Sequence, residues 1–268
     1  MTQDNKGIAL VTGASSGIGA VYADRLAKRG YDLILVARDI ARLEALANRL
    51  HSATGSQVEV IGADLTDPAS IDALAARIEG EARLTLLVNN AGVALSDTLT
   101  EAPASEVARL ITLNIAAPAL LARAAIRAFK TRGTGRVINI SSVLALAPEI
   151  LEGVYSGSKA FLLNLTQGLN HELAGTDIHV QAVLPGATRT EIWERSGKDV
   201  DSFPADWVMG VDDLVDAALT GFDRGEAVTI PPLQDTADWN IMQDARLRLA
   251  GQLSRSEVAP RYRSIAEA

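Results

Sequence analysis

Apolar residues follow two alternating rhythms along this chain. Short β-rich runs at 7–12, 32–37, 57–62, 84–88, 136–140, 179–184 and 227–230 are separated by longer stretches with helical spacing. Ile40, Leu43, Leu46 and Leu50 recur every three or four residues, as do Ile71, Leu74 and Ile78, which predicts amphipathic helices with one core-facing stripe. The runs are apolar enough to predict strands covered on both faces. Strand and helix in regular alternation predict βαβ units: a Rossmann-type, doubly wound α/β fold with a parallel sheet of about seven strands.

The rhythm fails over 191–210, where charges and Pro204 mix with Trp193, Phe203, Trp207 and Met209 without a clean period. A substrate-covering loop is expected there. No repeat, low-complexity run or linker divides the 268 residues, so one domain over 1–268 is expected. No stretch approaches the roughly 18 consecutive apolar residues that span a bilayer, and the polar start lacks the regions of a signal peptide. A cytoplasmic protein without membrane contact is the expectation. Zero cysteines rule out a disulfide framework and a thiolate nucleophile, and His51, His171 and His179 share no ligand-like spacing, so no metal centre is expected. The net charge of −8 argues against nucleic acid and points to small-molecule partners.

The first run ends in Thr12-Gly13-Ala14-Ser15-Ser16-Gly17-Ile18-Gly19 and leads into a helical pattern. Glycines at this spacing let a backbone turn tightly and approach a pyrophosphate, while the helix start offers free N–H groups and a positive dipole end. At the end of the second run stands Ala37-Arg38-Asp39. An NAD enzyme presents a carboxylate near here to the ribose hydroxyls; a guanidinium instead suits a 2′-phosphate, so NADP(H) is the expected cofactor, with NAD(H) the alternative. Asp39 is expected to cap the next helix.

Tyr155 and Lys159 are four apart, so on a helix they share a face. A phenol ionises near pH 10, and bringing its anion within reach at pH 7 takes about 4 kcal/mol. A neighbouring ammonium supplies an interaction of that order. Ser142 lies thirteen residues earlier, at the end of the fifth run, where open α/β sheets place ligand groups; its hydroxyl can polarise a carbonyl. Asn114 interrupts an otherwise apolar helix, a poor place for asparagine without a specific partner.

In order and spacing, the turn at 12–19, Asp64, Asn89-Asn90-Ala91-Gly92, Asn114, Ser142, Tyr155, Lys159 and Pro185-Gly186 resemble the short-chain dehydrogenase/reductase family over residues 7–190. The resemblance implies a reversible carbonyl–alcohol oxidoreductase using NADP(H) or NAD(H), with Tyr155 as general acid/base, Ser142 on the substrate oxygen and Asn114 in a proton relay. It also implies that Asp64, with Leu65, meets the adenine, that Asn90, Ala91 and Gly92 border the cofactor, and that Lys159 holds the nicotinamide ribose. Thr188 and Thr190 are implied to face the nicotinamide beyond Pro185 and Gly186; Gly13, Ser15, Ser16, Gly17, Ile18, Gly19 and Arg38 complete the expected cofactor set.

Asp64 has an alternative reading as a cap of the following helix. Substrate choice is expected to rest with 93–95, 143–151 and 191–210, which are mostly apolar and suggest a small or medium apolar ketone or aldehyde. The alternatives are a 3-oxoacyl-thioester reductase and a dinucleotide-binding sensor without turnover; a sugar-nucleotide epimerase would need a larger C-terminal domain. Phe161, Leu162, Leu163 and Leu165 surround the Tyr155 helix on more than one side, which predicts a homodimer or homotetramer. For Gly157, inside that helix, the sequence offers no functional account.

Overall fold

A computed structural model describes residues 6–150 and 153–263. The N-terminal residues 1–5, and Leu151 at the end of the expected pocket segment, lie outside the described residues. The elements run β1 (Ile8–Thr12), α1 (Gly17–Lys28), β2 (Asp32–Ala37), α2 (Ile40–Thr54), β3 (Val58–Gly62), α3 (Pro68–Gly80), β4 (Leu84–Asn89), α4 (Ala104–Ile111), α5 (Ala117–Arg132) and β5 (Thr134–Ile140). After these come α6 (Gly153–Glu172), β6 (Asp177–Val183), α7 (Ile192–Arg195), α8 (Val211–Asp223), β7 (Val228–Thr229) and α9 (Thr236–Ala250).

All seven expected strands form, and they pair in parallel in the order β3-β2-β1-β4-β5-β6-β7. One face packs on α3 and α5 through Ile71, Leu74, Ile78, Leu121 and Phe129; the other packs on α1, α2 and α8 through Tyr22, Leu26, Leu43, Leu50 and Leu219. Two expectations need correction. β3 is an edge strand in which Glu59 and Gly62 are exposed and the other residues only half-buried, so its two faces are not both covered. Ile40 is exposed, because it sits in the first turn of α2 and lies over Gly62, where an added Cβ would come within 2.6 Å of its Cδ1.

The local signals act as their chemistry requires. Asp39 accepts a 3.0 Å bond from the Arg42 N–H and caps α2, as expected, and Gly55 closes that helix in the left-handed conformation. Between α4 and α5, Thr112–Ala116 form a π-helical turn that contains Asn114. The rod from Ala104 to Arg132 is long and apolar enough to cross a membrane, but half of its most apolar stretch is buried within the protein, which suits a core helix.

The described residues divide into two units, one ending at Pro232 and one beginning at Leu233. The sheet and both helical layers form a single α/β domain in the first. The second carries α9, which buries none of its residues; Trp239, Ile241, Met242, Leu247 and Leu249 do not fall on one stripe, so the helix lacks the apolar face that ties the others to a core.

Candidate active site

In this strand order the direction in which successive strands are added reverses between β1 and β4, and ligands of open α/β sheets gather outside the carboxyl ends of the strands at that switch. A cavity of about 1100 Å³ opens there. Its wall includes Gly13, Ser15, Ser16, Gly17, Ile18, Arg38, Asp64, Leu65, Asn90, Ala91, Gly92, Ser142, Tyr155, Lys159, Pro185, Gly186, Thr188 and Thr190. Residues up to 177 positions apart in the sequence, Gly13 and Thr190, thus meet on one surface. Of the sequence-predicted set, Gly19 and Asn114 stand behind the wall rather than on it.

The glycine turn is held by the loop after β4. Asn90 Nδ2 donates to the carbonyls of Thr12 (2.9 Å) and Gly13 (3.1 Å), and the N–H groups of Asn90 and Ala91 donate to Thr12 Oγ1 at 3.0 and 3.1 Å. Gly13 has φ +66°, and a Cβ there would approach Asn90 Nδ2 to 2.8 Å. At Gly19 a Cβ would fall 2.4 Å from the Gly13 carbonyl oxygen, so this glycine permits helix and turn to touch. The first turn of α1 carries no acid, and Ser16, at its N-cap, makes no side-chain capping bond. A helix start of this kind, on the wall of a long cleft, fits the diphosphate of a dinucleotide.

At the far end of the cleft Arg38 is exposed beside Asp64. Asp64 Oδ1 accepts from the Thr66 N–H (3.0 Å) and hydroxyl (2.8 Å), forming its own turn. The cap of α3 is Asp67, which accepts from the N–H groups of Ala69 (3.3 Å) and Ser70 (3.0 Å), so the capping role does not fall to Asp64. The Thr66 N–H holds the Asp64 carboxyl below the usual carboxylate range; partial burial opposes this, and the Thr66 hydroxyl, Arg38 and Arg109 reinforce it. A carboxylate stays charged here.

At the opposite end α6 presents Tyr155 and Lys159 on one face. Lys159 is buried, its Nζ donates to the Ile140 carbonyl at 2.9 Å, and it lies 5.5 Å from the centre of the Tyr155 ring. Burial alone pushes its ammonium down to about 8. Ser142 is also buried; its Oγ accepts from the Leu144 N–H at 3.1 Å and makes only a long 3.5 Å contact to the Pro185 carbonyl. Asn114 is buried in its π turn, donating to the Val93 carbonyl (2.8 Å) and Ser158 Oγ (3.1 Å) and accepting from the Val93 N–H (2.9 Å). Its side chain therefore fixes the loop after β4 against α6.

The segment after β6 is a folded loop. A short parallel bridge between Thr188 and Met209 closes its base, the Trp193 indole N–H donates to the Thr188 carbonyl at 2.7 Å, and Trp193 packs on Phe203 with ring centres 5.1 Å apart. Ile192, Trp193, Ser196, Phe203 and Trp207, all within 191–210, line the cavity. Sequence reasoning placed Thr12 and Asn89 in motifs without their supporting bonds, and missed Ser141, Asn139 and Thr166: in the buried chain Asn89–Asn139–Thr166, Asn89 Nδ2 donates to Asn139 Oδ1 and Asn139 Nδ2 to Thr166 Oγ1, each at 3.0 Å. Polar residues inside otherwise apolar strands are the signal that would have found them.

A sheet with a dinucleotide cleft at its switch point and a Tyr–Lys pair beside it defines a nucleotide-dependent oxidoreductase. Residues 7–201 match the family model described as short chain dehydrogenase, and the chain belongs to that family. A short-chain dehydrogenase from Sphingobium yanoikuyae, solved in complex with NADPH, is 52% identical, with TM-score 0.93 and coverage of 96% of this chain and 100% of that one. The bulky-bulky ketone specific alcohol dehydrogenase from Comamonas testosteroni is 43% identical, with TM-score 0.90 and coverage of 97% and 100%. The 17-beta-hydroxysteroid dehydrogenase type 3 of Homo sapiens is 32% identical over 201 residues, 74% of this chain; this chain spans only 64% of that enzyme's length. The protein is accordingly an NAD(P)(H)-dependent oxidoreductase acting on a carbonyl or alcohol substrate.

Proposed function

We propose that the protein is an NADP(H)-preferring reductase of bulky apolar ketones, working reversibly as an alcohol dehydrogenase. The observation that carries this reading is the meeting of Ser142, Tyr155 and buried Lys159 on the wall of the cavity that also holds the glycine turn. When bound, the nicotinamide supplies or accepts the hydride. Tyr155 donates its phenolic proton to the carbonyl oxygen, and the Ser142 hydroxyl turns from its long contact with Pro185 to donate to the same oxygen. The Lys159 ammonium, held by the Ile140 carbonyl, stabilises the phenolate that remains. Oxidation of an alcohol uses the same groups in reverse.

Arg38 at the adenosine end supports the NADP(H) preference, as does the NADPH complex of the Sphingobium relative. The apolar wall formed by Val93, Val143, Leu144, Ile150, Ile192 and Trp193 supports a bulky apolar substrate, and the Comamonas relative is specific for such ketones. NADPH oxidation followed spectrophotometrically with small ketones, diaryl ketones and 3-oxoacyl thioesters tests the reading. Diaryl ketones should give the highest kcat/KM; preference for thioesters, or no turnover with any carbonyl despite NADPH binding, would replace it with a thioester reductase or a sensor.

The same reading takes the protein as a homo-oligomer. Ile111 and Leu120 are more than 40% exposed on the α4–α5 rod, and Phe161 and Leu165 on α6 are only half-buried. Light scattering at micromolar concentration should give twice or four times the 28.3 kDa chain mass; a monomeric mass counts against it.

A further inference from the structure

Arg42 lies outside the cavity wall, in the first turn of α2, and its guanidinium Nη1 donates to both carboxylate oxygens of Glu191 at 2.9 and 2.8 Å. The two residues are 149 apart in sequence. Arg42 belongs to the helix whose N-cap, Asp39, stands with Arg38 at the adenosine end of the cleft; Glu191 lines the same cleft at the start of the covering loop. Next to Glu191, Thr190 closes on the glycine turn: a Cβ built on Gly17 would lie 3.4 Å from Thr190 Cβ. The start of the loop therefore roofs the turn where α1 begins, and the ion pair ties that roof to the opposite wall. Because the loop base is held by the backbone bonds Met209 N–H to Ala187 O (2.9 Å) and Arg189 N–H to Met209 O (3.1 Å), breaking the tie lets the roof move while its base stays fixed.

We propose that Arg42, through Glu191, is a positioning residue that straps the covering loop across the diphosphate section of the cofactor cleft and slows dinucleotide release. The inference rests on the dinucleotide reading above. The strap crosses the part of the cofactor common to NADPH and NADH, so it acts on both alike, whereas Arg38 acts on the 2′-phosphate alone. Both members are partly solvated, which keeps the pair weak enough to open at each turnover and sensitive to salt.

The test is the dissociation rate of NADPH and of NADH, read by stopped-flow loss of nicotinamide fluorescence on displacement from the full-length protein. Arg42→Ala and Glu191→Gln should each speed release of both dinucleotides about two- to fivefold, the range for an exposed ion pair. Arg42→Lys should stay close to wild type, and the exchange Arg42→Glu with Glu191→Arg should return the rate to within about 1.5-fold of it. Moderate salt should speed release of NADH from the wild type and not from Glu191→Gln. Unchanged release in Glu191→Gln, an Arg42→Ala effect confined to NADPH, or an exchange variant as fast as the single ones would overturn the strap while leaving the proposed activity intact. A wild type that binds neither dinucleotide would overturn both.

Discussion

Ser141 Oγ donates a 2.7 Å hydrogen bond to the backbone carbonyl of Lys159, fastening the end of β5 to the middle of α6. Ser142 is the next residue on one side of this bond and Tyr155 sits one turn away on the other, so this contact, together with the Lys159 ammonium's bond to the Ile140 carbonyl, sets the spacing of the two groups proposed to hold the substrate oxygen. Ser141→Ala should lower stability by about 1 kcal/mol, the net worth of a buried hydrogen bond, measured by urea unfolding. It should lower kcat more than it raises KM for cofactor, since the groups misplaced act on the reacting oxygen. Equal effects on both parameters would show that the bond only supports the fold.

Tyr155→Phe removes the proton donor and leaves the ring that packs beside Lys159. Turnover should fall below a tenth of wild type while NADPH affinity, followed by fluorescence titration, stays within about threefold. A variant that retains more than a tenth of the turnover, with chemistry limiting in both proteins, would remove Tyr155 from the proton-transfer role.

Arg38→Ala should lower kcat/KM for NADPH about ten- to a hundredfold and leave NADH unchanged, because a charge-assisted bond of about 1.5–3 kcal/mol is lost only with the 2′-phosphate. Adding Ala37→Asp should favour NADH outright, since a carboxylate repels phosphate and accepts from ribose hydroxyls. Equal weakening of both cofactors would return Arg38 to an ordinary surface charge.

Lys159 carries a stability cost that depends on pH. Burial lowers its ammonium from 10.5 to about 8, which at 1.36 kcal/mol per pKa unit is about 3 kcal/mol against folding wherever both states are protonated. Below pH 8 that cost is complete. Between pH 8 and 10.5 the unfolded chain binds the extra proton, so stability from this group climbs with pH, and above 10.5 the cost is gone. Lys159→Met should therefore stabilise the protein at pH 7 by about 1–3 kcal/mol, after the lost bond to Ile140, and abolish turnover. Urea midpoints of the two proteins should converge between pH 8 and 10; a gap that does not narrow would mean that the lysine is not destabilised by burial.

Much of this architecture is legible in the sequence because it follows from local periodicity: the seven strands, the stripes of Leu43, Leu46 and Leu50 and of Ile71, Leu74 and Ile78, and the Asp39 cap need only short windows. Catalytic candidates are legible because α6 places Tyr155 and Lys159 one turn apart. What the sequence could not give depends on contacts between distant segments. Nothing near Ser141 announces that its hydroxyl ends on Lys159 and Ser142 does not, and the Arg42–Glu191 pair joins elements whose proximity only the sheet order creates. Asn114 reads as a helix interruption, and the structure turns that into a π turn with a use for both ends of its amide. Gly157 stays without a role within one chain: a Cβ there would meet nothing within 4 Å.

The π turn at Thr112–Ala116 also sets the rotational phase of the rod that contains it. One residue accommodated there turns everything downstream by about 100° about the helix axis, since an α-helix advances 3.6 residues per turn. The apolar side of α5, with Leu121, Ala125 and Phe129, meets the sheet only after that offset. Removing one residue between 112 and 116 to restore a regular helix would aim α5's apolar stripe away from its strands and withdraw Asn114 from Val93 at once. Chain length at this point is thus constrained twice over, by the core on one side and by the loop beside Lys159 on the other.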